Sequence, residues 1–363
     1  MRILHVITSL RTGGAEKLMV DLLPRLKDLG NNVELLLFDG VRTEFLKSLE
    51  SKGVKIHIAR IGGNVYDPRN IISLSKLIKK FEVVHTHNTA PQLFAVLANC
   101  FVFGSSVKLV TTEHNTTNRR RDIIYFKYLD RWMYQNYAKI ICISEQAEKN
   151  LRCYLNDNSS KICTIFNGID FSHFSNQINN DAKIYNDGKD VNITMVAAFR
   201  EQKDHQTLIR SISLLPYNFK LQLVGAGDTT LIKKCEALVK DLNLTNRVSF
   251  MGMRSDIPAI LQSSDIIVLS SHYEGLSLSS LEGMASGKPF VASDVDGLHE
   301  IVNGYGLLFP HEDAQALSDI LLKLSNDHKY AEQVAQKCQE RAKQFDISVM
   351  ANKYNEIYHT IQN

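Results

Sequence analysis

The chain has 363 residues, of which 44% are hydrophobic and 22% charged, a composition typical of a water-soluble α/β protein with room for two domains. Its 6 cysteines form no CxxC pair and no disulfide-rich spacing, which excludes a disulfide-stabilised scaffold and favours a reducing cytoplasm. The N-terminal residues lack the apolar core of a signal peptide, and the longest apolar stretch, Leu93–Phe103, is too short to cross a bilayer. We therefore expect a cytoplasmic protein without a transmembrane helix.

Short β-branched runs alternate with longer amphipathic stretches along the chain. The strand candidates of the first half are Ile3–Ile7, Val33–Phe38, Val54–Ala59, Val83–His85, Val107–Thr111, Ile140–Ile143 and Ile162–Ile165, with helical patterns at Ala15–Leu29 and Pro91–Phe101. Those of the second half are Ile193–Ala197, Leu221–Val224, Val248–Met251, Ile266–Leu269 and Phe290–Ala292. This alternation predicts parallel sheets with helices on both faces, the doubly wound α/β class.

A polar stretch separates the two halves. Residues Ser172–Asp190 are rich in Asn and Asp with few large aliphatic side chains, which is typical of a linker. We therefore predict an N-terminal domain over residues 1–175 and a C-terminal domain over residues 190–345. The final segment, 346–363, has apolar residues at helical spacing and is expected to form a helix that packs back toward the N-terminal domain.

Two groups of residues in the first half follow predicted strands, where α/β domains place their binding crevices. The glycine pair Gly13 and Gly14 allows a tight turn and leads into a helix whose first amides suit an anion, although a turn without a ligand is equally consistent with it. The second group is polar and rich in histidine, and comprises His85, His87, Asn88, His114 and Asn115. A zinc site is possible for the His-x-His pair, but a polar pocket wall is favoured because no carboxylate or cysteine cluster lies nearby in sequence.

Arg200 and Lys203 follow the first strand of the second half. Both could face one crevice and contact phosphate oxygens, and the alternative is a solvated helix start.

The segment Glu274–Glu282 carries the strongest signal. A glycine-containing loop after a strand runs into a helix whose first amides would suit a diphosphate, while the two glutamates could hold sugar and ribose hydroxyls. A glycosidase acid/base pair is disfavoured because such carboxylates usually come from separate elements.

These motifs together resemble the family 4 glycosyltransferases. The resemblance rests on Glu274 and Glu282 followed by Gly287 and Pro289, and on further motifs in order across nearly the whole chain: Gly13–Gly14, His85–Asn88, Glu113–Asn115, Ile143–Glu145, Asn167–Asp170, Arg200 with Lys203, Ser293–Asp294 and Glu300–Val302. It implies the GT-B fold, in which two Rossmann-like domains flank the active site. It also implies metal-independent transfer with retention at the anomeric carbon, no cofactor beyond a nucleotide-sugar co-substrate, and most commonly a UDP-sugar.

The resemblance also assigns roles to individual residues. Catalytic roles fall on His114, Arg200, Lys203 and Glu274, with Arg200 and Lys203 neutralising the leaving diphosphate and His114 beside the transferred sugar. Donor binding falls on Gly13, Gly14, Met253, Arg254, Gly275, Leu276, Ser277, Leu278 and Glu282, and the acceptor side on His85, His87, Asn88 and Asn115. Three positions depart from the usual pattern: Ser277 replaces Pro, Gly283 replaces Ala, and Asp296 replaces Gly.

The charge distribution bears on the acceptor. Residues 1–170 hold 24 Lys and Arg against 16 Asp and Glu, a net charge of +8, whereas the remaining residues hold 18 against 23. Within the basic half, residues Asn118–Tyr137 interleave basic and aromatic side chains, which fits a helix on an anionic membrane surface or, equally, a packing helix with a charged face. The pattern favours a lipid-diphosphate-linked acceptor over nucleic acid, for which no binding motif is present.

The sequence therefore predicts a cytoplasmic glycosyltransferase, peripheral at the inner face of the cell membrane. It would move a hexose or N-acetylhexosamine to a lipid-linked or growing glycan in surface or capsular polysaccharide biosynthesis. Two alternatives stay open: a soluble GT-B enzyme acting on a small molecule or glucan, and a non-catalytic protein that binds sugar nucleotides. Retention of both glutamates, Arg200 and Lys203 favours an enzyme.

Overall fold

The computed structural model describes residues 1–11, 13–102, 106–114, 121, 123–175 and 190–362. They form two compact units: residues 1–168 together with 347–363, and residues 169–346. The first unit thus ends before the expected boundary at residue 175, because the short helix that begins at Phe171 belongs to the second unit. Residues 176–189, most of the predicted linker, lie outside the described part of the chain.

Each unit contains one parallel sheet. In the first, the strands are β1 (Arg2–Ser9), β2 (Asn32–Asp39), β3 (Lys55–Ile58), β4 (Val83–His87), β5 (Lys108–Glu113), β6 (Lys139–Cys142) and β7 (Ile162–Thr164), in the order β3-β2-β1-β4-β5-β6-β7. In the second they are β8 (Val191–Val196), β9 (Phe219–Val224), β10 (Val248–Gly252), β11 (Ile266–Leu269), β12 (Phe290–Ser293) and β13 (Leu307–Phe309), in the order β10-β9-β8-β11-β12-β13. Both orders reverse beside the first strand, as in Rossmann-like domains, so the predicted fold class is confirmed.

Helices connect and cover these strands. They are α1 (Gly14–Asp28), α2 (Glu44–Ser51), α3 (Arg69–Ile78), α4 (Thr89–Cys100), α5 (Ile124–Gln135), α6 (Glu145–Leu155), α7 (Phe171–Ser175), α8 (His205–Ser213), α9 (Thr229–Asp241), α10 (Ile257–Ser263), α11 (Leu278–Ala285), α12 (His299–Val302), α13 (Ala314–Asn326), α14 (His328–Lys343) and α15 (Ile347–Thr360). The predicted helix over residues 118–137 corresponds to α5, which runs from Ile124 to Gln135, whereas residues 118–120 and 122 lie outside the described part of the chain.

The first sheet has an apolar core on each face, which explains why its central strands are almost continuously hydrophobic. One core includes side chains of α1, α2 and α15, among them the fully buried Tyr354 and Tyr358. The other includes side chains of α3, α4, α5 and α6. The last helix is therefore an integral layer of the first unit, although it is separated from the rest of that unit by the whole second unit in sequence.

Candidate functional site

In the second unit, the loops after β8 and β11 meet because these two strands are neighbours at the centre of the sheet. The backbone amide of Asp204 donates to the carbonyl of Ser270 over 3.0 Å, and that of His272 donates to the carbonyl of Gln202 over 2.9 Å. Asp204 also caps α8 by accepting from the amide of Thr207. These bonds hold the segment that carries Arg200 and Lys203 against the segment that carries Glu274.

Glu274 lies at this junction with only 5% of its surface exposed. Its carboxylate forms an ion pair with the Lys203 ammonium and accepts hydrogen bonds from the Gln202 amide at 3.0 Å and the Ser271 hydroxyl at 2.7 Å. A buried carboxylate needs such partners, because leaving it unpaired would be strongly unfavourable. The structure thus brings two of the predicted catalytic side chains, Lys203 and Glu274, into direct contact.

A second loop supports Glu274 from behind. The Glu274 amide donates to the carbonyl of Asp296 over 3.2 Å, and Gly297 follows with a φ of +82°. A side chain at Gly297 would collide with the backbone carbonyls of Glu274 and Gly275, so this glycine is required by close approach as well as by φ. Glu300 completes the turn by accepting from the Gly297 amide at 2.7 Å.

The turn Gly275–Leu278 leads directly into α11. Ser277 occupies the N-cap position in extended conformation, and its hydroxyl contacts that of Ser279 instead of capping a backbone amide. The first amides of this helix can therefore serve an anionic ligand. Glu282 lies on the same helix and is 4% exposed.

The glycine at position 283 has a packing explanation. A β-carbon there would lie 2.7 Å from the ring of the fully buried Phe290 and 3.1 Å from the side chain of Ile267. Glycine replaces alanine at this position because the core of the unit leaves no room for a methyl group. The replacement does not involve Glu274 or Glu282.

The other predicted donor residues of this unit point outward. Arg200 is exposed, and among the described residues no side chain is hydrogen-bonded to its guanidinium. Met253 is 65% exposed after β10, and Arg254 beside it forms hydrogen bonds of 2.8 and 2.5 Å with Asp256. Arg200 is thus available to an anion, whereas the charge of Lys203 is balanced by Glu274.

In the first unit, Gly13 and Gly14 stand between β1 and α1. Gly13 is the N-cap of α1 in extended conformation, and Gly14 is its first residue. A β-carbon on Gly14 would have no neighbour within 4 Å. Neither backbone conformation nor internal packing requires a glycine at Gly14, which leaves open space for a ligand over the start of the helix.

Asn88 follows the neighbouring strand β4 at the same edge of the sheet. It is the N-cap of α4 with a φ of +71° and a ψ of 160°, a region that residues other than glycine rarely adopt. Its side-chain amide donates to the hydroxyl of Thr8, after which β1 ends. Such strain is concentrated at functional sites, which supports a role for this edge.

Four histidines of the first unit are connected by hydrogen bonds. His114 Nε2 lies 2.9 Å from His87 Nδ1, and His87 Nε2 lies 3.0 Å from His5 Nδ1. The Tyr358 hydroxyl lies 3.4 Å from His5 Nε2 and 2.6 Å from His85 Nδ1. His5, His85 and His87 are fully buried, and only His114 reaches the surface. His85 and His87 therefore cannot contact an acceptor directly, contrary to the acceptor-side role that the sequence suggests.

Burial keeps these rings neutral, because a charged imidazole would be removed from water. It lowers the pKa of His5 to about 3 and that of His114 to about 4. The pKa values of His85 and His87 are also lowered, by burial first and then by the neighbouring histidines. At neutral pH, each ring thus carries one N–H donor and one acceptor nitrogen.

Two groups in the described part of the chain have side chains of the kind that hold metals: His5 with His85 and His87, and His272 with His311 and Glu312. In the first, all six ring nitrogens already have hydrogen-bond partners, so a metal would have to displace them. The second lies on the surface, where His272 Nδ1 is 2.8 Å from His311 Nε2 and 3.2 Å from Glu312 Oε1. Neither group includes a predicted catalytic residue.

Glu113 has an internal role. Its carboxylate accepts from the Gln92 amide and the Tyr134 hydroxyl, both at 2.5 Å, and pairs with Arg121 at 3.1 Å. It therefore ties β5 to α4 and α5, next to His114. Asn115, predicted on the acceptor side, lies outside the described residues.

Several contributing residues were not singled out from the sequence. Gln202 and Ser271 are polar loop residues without a recognisable motif, and their bonds to Glu274 depend on the pairing of β8 with β11. His5 and Tyr358 sit in otherwise apolar strand and helix patterns. Their polar atoms on an otherwise apolar face could have indicated a buried hydrogen-bond network, since buried polar groups need partners.

Two Rossmann-like sheets in one chain are the architecture of the GT-B fold. Solved structures with this fold superpose over the chain: HepE of Anabaena in complex with UDP and glucose has a TM-score of 0.85 at 18% identity, covering 99% of this chain and 100% of that one. A glycosyltransferase of Rickettsia africae has a TM-score of 0.83 at 23% identity, with coverage of 100% and 98%.

Two models of known protein families match this sequence. Residues 12–173 match the model described as Glycosyltransferase Family 4, and residues 176–345 match the model described as Glycosyl transferases group 1. The chain belongs to this glycosyltransferase family, as the resemblance of its motifs predicts.

Proteins with similar sequences are also named as glycosyltransferases. An uncharacterized glycosyltransferase of Methanocaldococcus jannaschii is 28% identical over 96% of this chain and 95% of its own length. The UDP-Gal:alpha-D-GlcNAc-diphosphoundecaprenol alpha-1,3-galactosyltransferase of Escherichia coli is 27% identical over 81% and 80%. An N,N'-diacetylbacillosaminyl-diphospho-undecaprenol alpha-1,3-N-acetylgalactosaminyltransferase of Campylobacter jejuni is 33% identical over 47% and 44%. In the described residues, no helix has both the length and the apolar character needed to cross a membrane.

Proposed function

We propose that this enzyme transfers a hexose or N-acetylhexosamine from a UDP-sugar to a lipid-diphosphate-linked or growing glycan in surface-polysaccharide assembly. The observation that carries the proposal is the junction of the loops after β8 and β11, where Lys203 pairs with Glu274, the residue before the turn that leads into α11. The HepE complex with UDP and glucose supports a UDP-sugar donor. The two relatives named for diphosphoundecaprenol-linked sugars support the acceptor class.

In the proposed binding mode, the second unit holds the donor. The carboxylate of Glu282 accepts from the ribose hydroxyls, and the backbone between Gly275 and Leu278 donates to the diphosphate. Arg200 supplies positive charge to the leaving group, which would take the place of a metal ion. Glu274 contacts the transferred sugar while Lys203 holds its carboxylate in place, and the loop at Met253 and Arg254 contacts the base.

Residues of the first unit have their own roles in the proposed function. Gly14 lets the start of α1 approach the diphosphate, because no side chain fills the space above it. His114 donates a hydrogen bond to the transferred sugar. Asn88 belongs to the acceptor side, where its strained backbone marks the sheet edge.

The proposed transfer retains the anomeric configuration. The bond between the anomeric carbon and the diphosphate oxygen breaks, and a bond from that carbon to the acceptor hydroxyl oxygen forms on the same face. The acceptor proton moves to the departing phosphate oxygen, so UDP leaves and no side-chain base is needed. Arg200 and the α11 amides stabilise the negative charge that develops on the leaving group.

We further propose that α5 brings the enzyme to an anionic membrane surface. Tyr125, Tyr128 and Trp132 are 83%, 72% and 39% exposed, and their spacing places them on one helical face. Lys127 and Arg131 are exposed beside them. A row of exposed aromatic side chains flanked by basic ones suits the headgroup region of a bilayer.

The donor assignment is tested by incubating the full chain with a panel of UDP- and GDP-sugars without acceptor and following nucleotide release. We expect slow hydrolysis of a UDP-sugar by the wild type. Glu282→Ala should weaken donor binding by about tenfold or more, as expected for a lost bidentate hydrogen bond to a charged group. Arg200→Ala should mainly lower turnover, by about 100-fold if it stabilises the leaving group.

Arg210→Ala is a suitable control, because Arg210 is an exposed arginine in the last turn of α8. Wild-type kinetics in both Arg200→Ala and Glu282→Ala would contradict the proposed site. Absence of binding to every nucleotide diphosphate would also reject it, whereas binding without turnover would favour a non-catalytic sugar-nucleotide-binding protein.

A further inference from the structure

The histidine chain of the first unit continues to a second buried hydroxyl. His85 Nε2 lies 2.8 Å from the Thr112 hydroxyl, which lies 3.0 Å from that of Tyr354. The complete sequence of partners is Tyr354, Thr112, His85, Tyr358, His5, His87 and His114. Every member except His114 is fully buried, and His114 is partly exposed among the described residues, so only this end of the chain can reach a ligand.

The direction of donation along this chain follows from its hydroxyl groups. If each hydroxyl and ring N–H donates toward His114, every hydrogen of the fully buried members has an acceptor: Tyr354 donates to Thr112, Thr112 to His85, and so on to His114. If the direction is reversed, the buried end of the chain is left with a hydroxyl hydrogen that has no acceptor among the described residues. Burying an unsatisfied donor is costly, so the first direction is favoured.

The favoured direction assigns the same tautomer to all four rings. His85 donates from Nδ1 to Tyr358, His5 from Nδ1 to His87, and His87 from Nδ1 to His114, whose Nε2 accepts. His114 must then carry its own hydrogen on Nδ1, at the open end of the chain. The reversed direction would place every hydrogen on Nε2, which makes the two cases distinguishable by one measurement.

We infer that this buried chain holds His114 as a fixed hydrogen-bond donor through Nδ1–H, with Tyr358, His5 and His87 acting as positioning residues. The inference deepens the proposed function, on which its catalytic part rests: His114 presents a donor to an oxygen of the transferred sugar or diphosphate. With Nε2 occupied and Nδ1 protonated, it has no free nitrogen with which to act as a base. Its low pKa, caused by burial, keeps it from becoming a cation at neutral pH.

The tautomers can be read by nitrogen-15 NMR of the full chain labelled at histidine, which separates protonated from unprotonated ring nitrogens. The signals of the four rings are assigned by their loss in His5→Gln, His85→Gln, His87→Asn and His114→Asn. We expect the wild type to show His114 and the three buried rings protonated on Nδ1. Protonation of His114 on Nε2 would overturn the inference, and so would a titration of these rings near neutral pH.

Tyr358→Phe tests the positioning role. It removes the hydroxyl that links His85 to His5, so His85 Nδ1–H and His5 Nε2 lose their partner and the rings from His5 to His114 are held less firmly. The tautomer of His114 should not change, because the reversed direction would bury an unpaired N–H on His5. With the UDP-sugar found in the donor screen, turnover should fall about three- to tenfold, the range of one hydrogen bond, with little change in donor KM. Tyr137→Phe is the matched control, because Tyr137 is also fully buried but bonds to Thr86 and the Gln92 carbonyl, outside the chain.

The outcomes separate this inference from the proposed function. Unchanged turnover in Tyr358→Phe, or an equal loss in Tyr137→Phe, would refute the catalytic part. If no donor is turned over, the wild-type NMR result still decides the tautomer, and only the proposed function fails. If Tyr358→Phe does not fold, the wild-type spectrum alone remains decisive.

Discussion

At the scale of single residues, the contact between Lys203 and Glu274 means that a substitution of either residue affects stability as well as activity. Both side chains are nearly buried, with 11% and 5% exposed. Removing one partner leaves a buried charge without compensation, so a loss of activity in a single variant could reflect loss of folding. The exposed Arg200 does not have this complication.

We therefore predict different behaviour for single and double variants of this pair. Lys203→Met should lower the free energy of unfolding by about 3–5 kcal/mol, whereas Lys203→Met/Glu274→Gln should recover most of that loss because no buried charge remains. Turnover should stay low in both, since the double variant also lacks the charged pair at the proposed donor site. Denaturant unfolding measures the free energy of unfolding, and donor hydrolysis measures turnover. Wild-type turnover in the double variant would show that the pair has a structural role only.

Gly14 offers a second test at this scale. Gly14→Ala should leave the melting temperature unchanged or slightly higher, because the new methyl has no neighbour within 4 Å and alanine is favoured over glycine in helices by up to about 1 kcal/mol. Donor binding should weaken, since the methyl occupies the space proposed for the diphosphate. Calorimetric titration with UDP measures the effect. Equal affinity in a stably folded variant would show that Gly14 is not part of the proposed donor site.

At the scale of elements, the sequence predicted the principal strands well but missed β13, because Leu307–Phe309 contains no β-branched residue, the signal by which the other strands were found. Conversely, the basic and aromatic pattern around α5 was ambiguous between packing and a membrane surface. The structure separates the two faces: Met133 and Tyr134 are buried, whereas Tyr125 and Tyr128 point to solvent.

Helix α5 leads to a prediction about membranes. The wild type should sediment with vesicles containing phosphatidylglycerol but not with phosphatidylcholine alone. Lys127→Glu/Arg131→Glu should weaken binding at least about tenfold, because each basic side chain near an anionic surface contributes about 1 kcal/mol. Trp132, the single tryptophan of the chain, should report insertion through its fluorescence.

The control for that experiment is Tyr66→Ser. Tyr66 is also strongly exposed, at 61%, but lies before α3 and not on α5. It should bind vesicles like the wild type, whereas Tyr125→Ser/Tyr128→Ser should bind more weakly. Equal binding by all variants would assign the exposed aromatic face to another partner.

At the scale of the whole molecule, the buried histidines make stability depend on pH. Their folded pKa values lie below the value near 6.5 expected in the unfolded chain, which therefore takes up more protons as the pH falls. The stabilising contribution is complete above about pH 7 and is lost progressively as the pH falls from about 6.5 toward 4. For a ring such as His114, the loss at pH 5 is roughly 2 kcal/mol.

We expect the melting temperature followed by Trp132 fluorescence, which reports on the first unit, to fall clearly between pH 7.5 and pH 5. His114→Asn should lose less stability over this interval, because one titrating ring is gone. His299→Asn is the control. His299 is exposed and its pKa is raised by hydrogen bonding to Asp294, so its protonation does not destabilise the folded protein as the pH falls. A melting temperature independent of pH would contradict the neutral buried chain.

The amino-acid sequence by itself determined the class of fold, most strands and helices, and the motifs that end them, because hydrophobic periodicity and glycine placement are local properties. Only the tertiary structure decided which of the motif residues touch. His85 bonds to Tyr358 across 273 positions, and Gln202 to Glu274 across 72. Such partners are brought together by strand order and helix packing, and the burial that makes the histidines neutral and Glu274 dependent on Lys203 exists only once those layers are assembled.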